Sequence, residues 1–178
     1  MAFYTLKVAG VERQLPILPV SDKTSIAAFI MFSDVELTVA CAGELLKKVG
    51  DFDVILTAES KGIPIAYELA RQSGKSYVVG RKSVKLYMTD PISVNVRSIT
   101  TMGVQTLYLS QEDASKLRGK KVLIADDVIS TGESLIALEK LCEEAGGIIA
   151  CRSAVLAEGE AAERDDIVFL EKLPLFPQ

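Results

Sequence analysis

The sequence predicts an α/β fold in which a mainly parallel, twisted sheet carries helices on both faces. Three observations lead there. Short apolar runs at 54–57, 77–79, 122–125, 148–156 and 167–170 alternate with stretches of helical periodicity at 34–49, 63–72 and 132–145. Strand and helix in alternation, joined by short connections, favour parallel pairing. The run 122–125, Val-Leu-Ile-Ala, has no polar residue, as a strand covered on both faces requires. The 178 residues, 49% hydrophobic and 25% charged, suffice for one domain, 1–178, with a core of its own.

Taken in order, residues 34–49 set Val35, Leu37, Val39, Ala40, Leu45 and Leu46 at helical spacing, and Gly50 ends the run. The strand 54–57 follows, then a polar loop 58–62 and a helix 63–72. Pro64 suits the first turn of that helix, where its missing N–H leaves no bond unmade. Gly74 closes the helix and 77–79 forms the next strand. In the helix 132–145, Leu135, Leu138, Leu141 and Cys142 share a face, with Gly146 and Gly147 at its C-terminal end. Residues 86–110 break the alternation. There Leu86, Tyr87, Ile92, Val94, Val96, Ile99, Val104, Leu107 and Leu109 interleave with Ser, Thr, Asn and Arg, which predicts a protruding antiparallel excursion of the kind that serves as a lid.

Composition narrows the chemistry. A net charge of −4 argues against nucleic-acid binding, which needs a basic face. The first residues lack the basic and apolar regions of a secretory signal, and no stretch approaches eighteen apolar residues without charge, so a cytoplasmic protein without membrane contact is expected. Cys41, Cys142 and Cys151 sit among apolar neighbours without paired metal spacing and read as reduced core residues. The chain has no histidine, which excludes a Ser-His-Asp triad, a Cys-His pair and the usual zinc sites. Catalysis has to come from carboxylates, lysine, arginine, backbone dipoles or a bound ion.

Four segments carry candidate chemistry. In 122–134 the apolar run is followed by Asp126 and Asp127, two apolar residues, and the turn Ser130, Thr131, Gly132, Glu133, Ser134 that opens a helix. The carboxylates fall at the end of the strand, where open α/β sheets bind ligands, and the turn offers N–H groups and hydroxyls at the positive end of a helix. That order fits a phosphorylated sugar. It is not a Walker loop, since no lysine follows Gly132 in the turn. A capped helix after a buried strand is the plainer alternative, but adjacent carboxylates repel and cost stability without a use. The second segment, Thr57 to Gly62, repeats the arrangement with Glu59, Ser60 and Lys61 after another strand. The third gathers Arg81, Lys82 and Lys85 just past a strand, a fork and two point charges suited to phosphate oxygens. The fourth, 30–35, contains Met31, Phe32 and Ser33.

Residues 122–134 resemble the ribose-phosphate motif of the type I phosphoribosyltransferases, which bind 5-phosphoribosyl-1-pyrophosphate (PRPP). The resemblance covers about residues 30–157 and implies that family's fold, with a small N-terminal hood (about 1–40) and a lid (about 86–110). Thr57 to Gly62 resembles the pyrophosphate loop of adenine phosphoribosyltransferases, with Lys61 in an arginine position. Residues 81–85 resemble their Arg-Lys-x-x-Lys segment, and 30–35 their hood, where an aromatic ring stacks on the base. The resemblance implies transfer of phosphoribosyl from PRPP, with Mg²⁺, to a purine, adenine favoured, and release of pyrophosphate.

Under it, Asp126, Asp127, Ser130, Thr131, Gly132, Glu133 and Ser134 hold ribose 5-phosphate. Glu59, Ser60, Lys61, Gly62, Arg81, Lys82 and Lys85 hold pyrophosphate, and Met31, Phe32 and Ser33 hold the base. Asp127, Arg81 and Lys82 are the expected catalytic residues, and a homodimer is implied. Two departures stand out. The family's lid glutamate is replaced in Thr101-Met102-Gly103, and Glu158 or Gly159 stands where xanthine enzymes carry lysine. A xanthine or other 6-oxopurine enzyme is the alternative within the family. A PRPP-binding sensor, like the effector domain of the Gram-positive purine-operon repressor, is the alternative outside catalysis.

Overall fold

The computed structural model describes residues 2–97 and 103–177. Three strands come first: β1 (Phe3–Val8), β2 (Val11–Ser21) and β3 (Thr24–Ala27). The β1–β2 hairpin closes on Ala9 and Gly10, both at positive φ, the two-residue turn whose twist matches that of paired strands. Then come α1 (Val35–Leu46), β4 (Val54–Ala58), α2 (Ile63–Ser73), β5 (Ser76–Gly80), β6 (Ile92–Arg97) and β7 (Val104–Leu109). After these follow α3 (Gln111–Leu117), β8 (Lys121–Ile129), α4 (Glu133–Glu144), β9 (Ile148–Glu158), a 3₁₀ turn (Gly159–Glu163), β10 (Val168–Leu173) and β11 (Leu175–Pro177).

The main sheet has the order β10-β9-β8-β4-β5, and each neighbouring pair is parallel. Its strands show how period-two alternation fills two cores. Ile55, Leu123, Ala125 and Val155 face a layer built on Leu37, Cys41 and Leu45 of α1 with Ile65 and Leu69 of α2. Leu56, Val122, Ile124 and Ala154 face α4 and α3 through Leu138, Leu141 and Leu117, together with the β6–β7 hairpin. β4 leads outward to β5 on one side, while β8 leads to β9 and β10 on the other. The reversal of strand order therefore falls between β4 and β8, where such sheets open a crevice at the carboxyl ends.

The sequence reading is corrected at several places. The strand read at 122–125 continues through both carboxylates to Ile129, because Val128 and Ile129 still pair with Leu156 and Ala157 of β9. Asp126 and Asp127 thus stand inside the paired strand. The region ahead of residue 30, where no strand was read, holds three strands, and their sheet is completed by β11 from the other end of the chain. The hood is thus not purely N-terminal. The antiparallel excursion is present as β6–β7, from Ile92↔Leu109 to Arg97↔Val104, whereas Leu86 and Tyr87 belong to an exposed turn before it. Thr101 and Met102, read as the lid substitution, lie outside the described residues. Cys41 and Cys142 are fully buried free thiols, pushed up to about 12 and about 11 by burial. Among the described residues no helix is long and apolar enough to cross a membrane.

One contact fixes the hood sheet to α1. Asp34 caps α1 by accepting the Leu37 N–H at 3.1 Å, and Arg13 of β2 forks onto the same carboxylate at 2.7 and 3.0 Å. The Arg13 guanidinium holds the Asp34 carboxyl below its ordinary value. A depressed carboxyl contributes stability above its unfolded value and loses it as pH falls through the folded value. Asp34→Ala is expected to cost about 1–2 kcal/mol at pH 7, the usual loss of an N-cap. The difference from wild type should shrink in acid below pH of about 4, as measured by urea denaturation at both pH values.

Candidate functional site

At the β4/β8 reversal a cleft of about 420 Å³ opens. Three stretches build its polar side. From β8 and the turn beyond it come Asp126, Asp127, Ser130 and Ser134. From the turn after β4 come Glu59, Ser60 and Lys61, and from the segment after β5 comes Lys82. These parts are remote in sequence and meet because β4, β5 and β8 end at the same edge of one parallel sheet.

Asp127 is 6% exposed, and its N–H donates to Asp126 Oδ1 at 2.9 Å. Burial, and then the neighbouring Asp127 carboxylate, push the Asp126 carboxyl well above the usual range. The turn after β8 shows why glycine stands there. Gly132, the residue before α4, has φ +82°, and a β-carbon on it would come within 3.1 Å of the Arg164 guanidinium. With Glu133 starting α4, the first turn of the helix and the hydroxyls of Ser130, Thr131 and Ser134 meet beside a small adjoining recess of about 40 Å³. That is a seat of the right polarity for phosphate. Glu133, read as part of it, lines neither cavity.

The turn after β4 packs backbone against carboxylate. Gly62 is buried, and a β-carbon there would overlap the Thr57 hydroxyl and come within 2.9 Å of Asp126 Oδ1. Thr57 Oγ1, fully buried, is the one buried side-chain polar atom without a hydrogen-bond partner among the described residues. The Glu59–Ser60 peptide is cis. Glu59 joins this turn to the basic segment, accepting from Arg81 Nε and, at 3.0 Å, from the Lys82 N–H. Arg81 also donates to the Tyr87 hydroxyl, and its backbone pairs with Tyr108 of β7. The β6–β7 hairpin is thereby anchored beside the cleft, which Gln105 reaches.

Several residues read as one site are not gathered into the cleft wall. The Arg81 guanidinium is spent on Glu59 and Tyr87, and Lys85 donates to Ser83 Oγ at 2.8 Å, so of the basic segment only Lys82 lines the cleft among the described residues. The hood segment is displaced by a few residues. Met31 is buried in the core, Ser33 sits at positive φ, and Phe32 is half exposed without lining the cleft. Met31 and Ser33 line a separate groove beside α1 and α2. The wall they were expected to form comes from Ile26 to Ile30, with Leu173 and Glu158. Sequence reasoning missed that wall because it was read from one aromatic motif, although Phe29 stands three residues earlier. Among the described residues no group of three His, Cys, Asp or Glu side chains gathers to hold a metal.

Comparison with known proteins agrees with this layout. Residues 38–174 match the phosphoribosyl transferase domain. A hypoxanthine/guanine phosphoribosyltransferase of Methanothermococcus okinawensis is 37% identical over 118 residues, 65% of this chain and 61% of that protein. The chain thus spans about three fifths of the length of that relative. An adenine phosphoribosyltransferase of Acetivibrio thermocellus is 34% identical over 77% of this chain and 79% of its own length. In structure, an adenine phosphoribosyltransferase of Thermoanaerobacter pseudethanolicus superposes with a TM-score of 0.75 at 23% identity, covering 89% of this chain and 95% of that one, which establishes a common fold.

Proposed function

The chain belongs to the phosphoribosyl transferase domain family, and we propose that it transfers the phosphoribosyl group of PRPP to a purine base, releasing pyrophosphate. The observation that carries this is the cleft at the β4/β8 reversal. One wall combines a carboxylate pair, a helix-opening hydroxyl turn and a lysine-bearing loop, each matched to one part of PRPP. In this reading Ser130, Thr131, Gly132 and Ser134 anchor the 5′-phosphate, and Asp126 and Asp127 orient the ribose hydroxyls. Asp127 lies close to the sugar as it gains cationic character. Lys61 and Lys82 meet the charge that gathers on departing pyrophosphate, which stabilises the transition state more than the ground state. Arg81 acts from behind through Glu59. A Mg²⁺ carried by PRPP beside the cleft carboxylates Asp126 and Asp127 would supply charge neutralisation for the pyrophosphate leaving group.

The reaction needs no nucleophilic side chain, in keeping with the absence of histidine. Residues 1–178 act as one phosphoribosyltransferase domain, with the hood sheet over the base and the β6–β7 hairpin as lid. A homodimer, in which the basic segment of one copy approaches the other's cleft, agrees with the outward position of Val84, Leu86 and Tyr87 beside it.

Adenine is the favoured base. It is named for the Acetivibrio relative, of which this chain covers 79%, and the cleft carries the carboxylate Glu158, which would not favour a 6-oxo group. The test is to incubate the purified chain with PRPP, Mg²⁺ and equal amounts of adenine, hypoxanthine, guanine and xanthine, and to identify nucleotide by mass. AMP is expected. IMP, GMP or XMP would move the assignment to a 6-oxopurine enzyme, and PRPP binding without any product would make the chain a sensor.

A further inference from the structure

The cleft has two chemical halves. Its sugar side is polar, while the opposite side is built from Ile26, Ala27, Phe29, Ile30 and Leu173 and carries one ionisable group, Glu158. Glu158 ends β9, beside Leu173 of β10. Of the four carboxylates on the cleft wall, Glu59 is held by Arg81 and the Lys82 N–H, and Asp126 and Asp127 stand together at the sugar side. Glu158 differs. Among the described residues its side chain has no hydrogen-bond or ion-pair partner, and partial burial alone raises its carboxyl above the ordinary value. A half-buried carboxylate without a partner costs stability unless a ligand uses it, and a carboxylate in such a cleft wall is placed to accept a proton from a bound donor.

The chemistry of a purine says which proton. The two nitrogens of its five-membered ring share one hydrogen. When the bare nitrogen attacks, the other must lose its proton for the product to become neutral. In adenine that second nitrogen lies next to the exocyclic amine, so two donors converge on one side of the molecule. In a 6-oxopurine the neighbour is a carbonyl oxygen, an acceptor.

We propose that Glu158 recognises and deprotonates the base, its carboxylate accepting both the ring N–H and the adjacent amine of adenine. The inference rests on the transferase reading above and assigns the group that replaces the family's lid glutamate. In the balanced step, one ring nitrogen forms its bond to C1 of the ribose. The C1–O bond to pyrophosphate breaks, and its electron pair leaves with pyrophosphate. The proton of the other ring nitrogen passes to Glu158, which returns it to solvent at the cleft mouth. The same carboxylate opposes the oxygen of a 6-oxopurine and so sets the preference for an amino-substituted base.

The experiment compares wild type, Glu158→Gln and Glu158→Asp. It measures kcat and KM for adenine and hypoxanthine, with PRPP affinity determined separately by calorimetry. Glu158→Gln, which keeps the shape and cannot take the proton, is expected to lower kcat with adenine about 100-fold. PRPP affinity should stay within about twofold, and the preference for adenine over hypoxanthine should narrow. Glu158→Asp should recover part of the rate. Wild-type kcat and base preference in Glu158→Gln would overturn the inference while leaving the transferase reading intact. Loss of PRPP binding in both variants would overturn it in favour of a structural role. A wild-type chain that forms no nucleotide from any purine would overturn the transferase reading, and this role with it.

Discussion

Asp127→Asn is expected to lower kcat/KM for PRPP by about a hundredfold or more, the usual loss when one preorganised electrostatic group is removed from a reacting centre. The substitution keeps the size of the side chain, which matters at 6% exposure in a strand paired on both sides. It removes the negative charge that faces the developing cation of the sugar in the proposed reaction. Its effect on stability should have the opposite sign. The Asp127 carboxylate helps to push the Asp126 carboxyl well up. A group whose folded value is raised contributes stability below its unfolded value and loses it as pH rises through the folded value. In wild type, Asp126 therefore works against the fold at neutral pH, and relief of its neighbour's charge should offset part of that cost. Denaturation at pH 4 and pH 7 should show the variant gaining on wild type at the higher pH. Isothermal calorimetry with PRPP reads the binding part separately. Unchanged activity would remove Asp127 from the sugar site, whatever the stability curves show.

Gly62→Ala should be the most damaging change of a single methyl group. Gly62 has an ordinary φ of −77°, so space and not backbone freedom requires glycine there. The added carbon would overlap the Thr57 hydroxyl and press on Asp126 Oδ1. Thr57 is fully buried in β4, and Asp126 is held in the β8–β9 ladder, so relief has to come from the turn 59–62 itself. Overpacking of this kind costs about 1–3 kcal/mol. A displacement of the turn near 1 Å can cost about 10²-fold in rate by misaligning groups around the reacting atoms. A double-mutant cycle with Thr57→Ala separates the causes. Among the described residues the Thr57 hydroxyl has no partner, so its removal alone should be tolerated, and that removal makes room for the methyl group at 62. Recovery of activity in the double variant is the expected result. If the double variant is as inactive as Gly62→Ala, the clash with Thr57 is not the reason for glycine.

The parts legible in the sequence share a physical cause. Residues 122–134 carry their information locally. A strand buried on both faces must be apolar, the carboxylates must fall near its end, and the turn into α4 must supply donors, so thirteen consecutive residues announced one end of the cleft. The same locality made 57–62 and 80–85 readable, since each lies at the carboxyl end of a strand of the same sheet. The hood was less legible. Its strands Phe3–Val8 and Val11–Ser21 mix apolar and polar residues on faces that are only partly covered, and β11 joins from residues more than 140 positions away from β3. No local pattern encodes such a pairing.

By itself the sequence determined the layered α/β class, the apolar strands, the helices that cover them and the chemistry at their ends. These follow from periodicity, capping and the types of side chain available. The tertiary structure decided which of those chemistries meet. It spent Arg81 on Glu59, drew Met31 into the core, brought Phe29 and Ile30 to the wall in place of Phe32, and left Glu158 without a partner among the described residues on the apolar side of the cleft. The reason is geometric. Local sequence fixes which way a side chain points from its own element, whereas its partner is chosen by strand order and by competition among all the groups that the fold brings within reach.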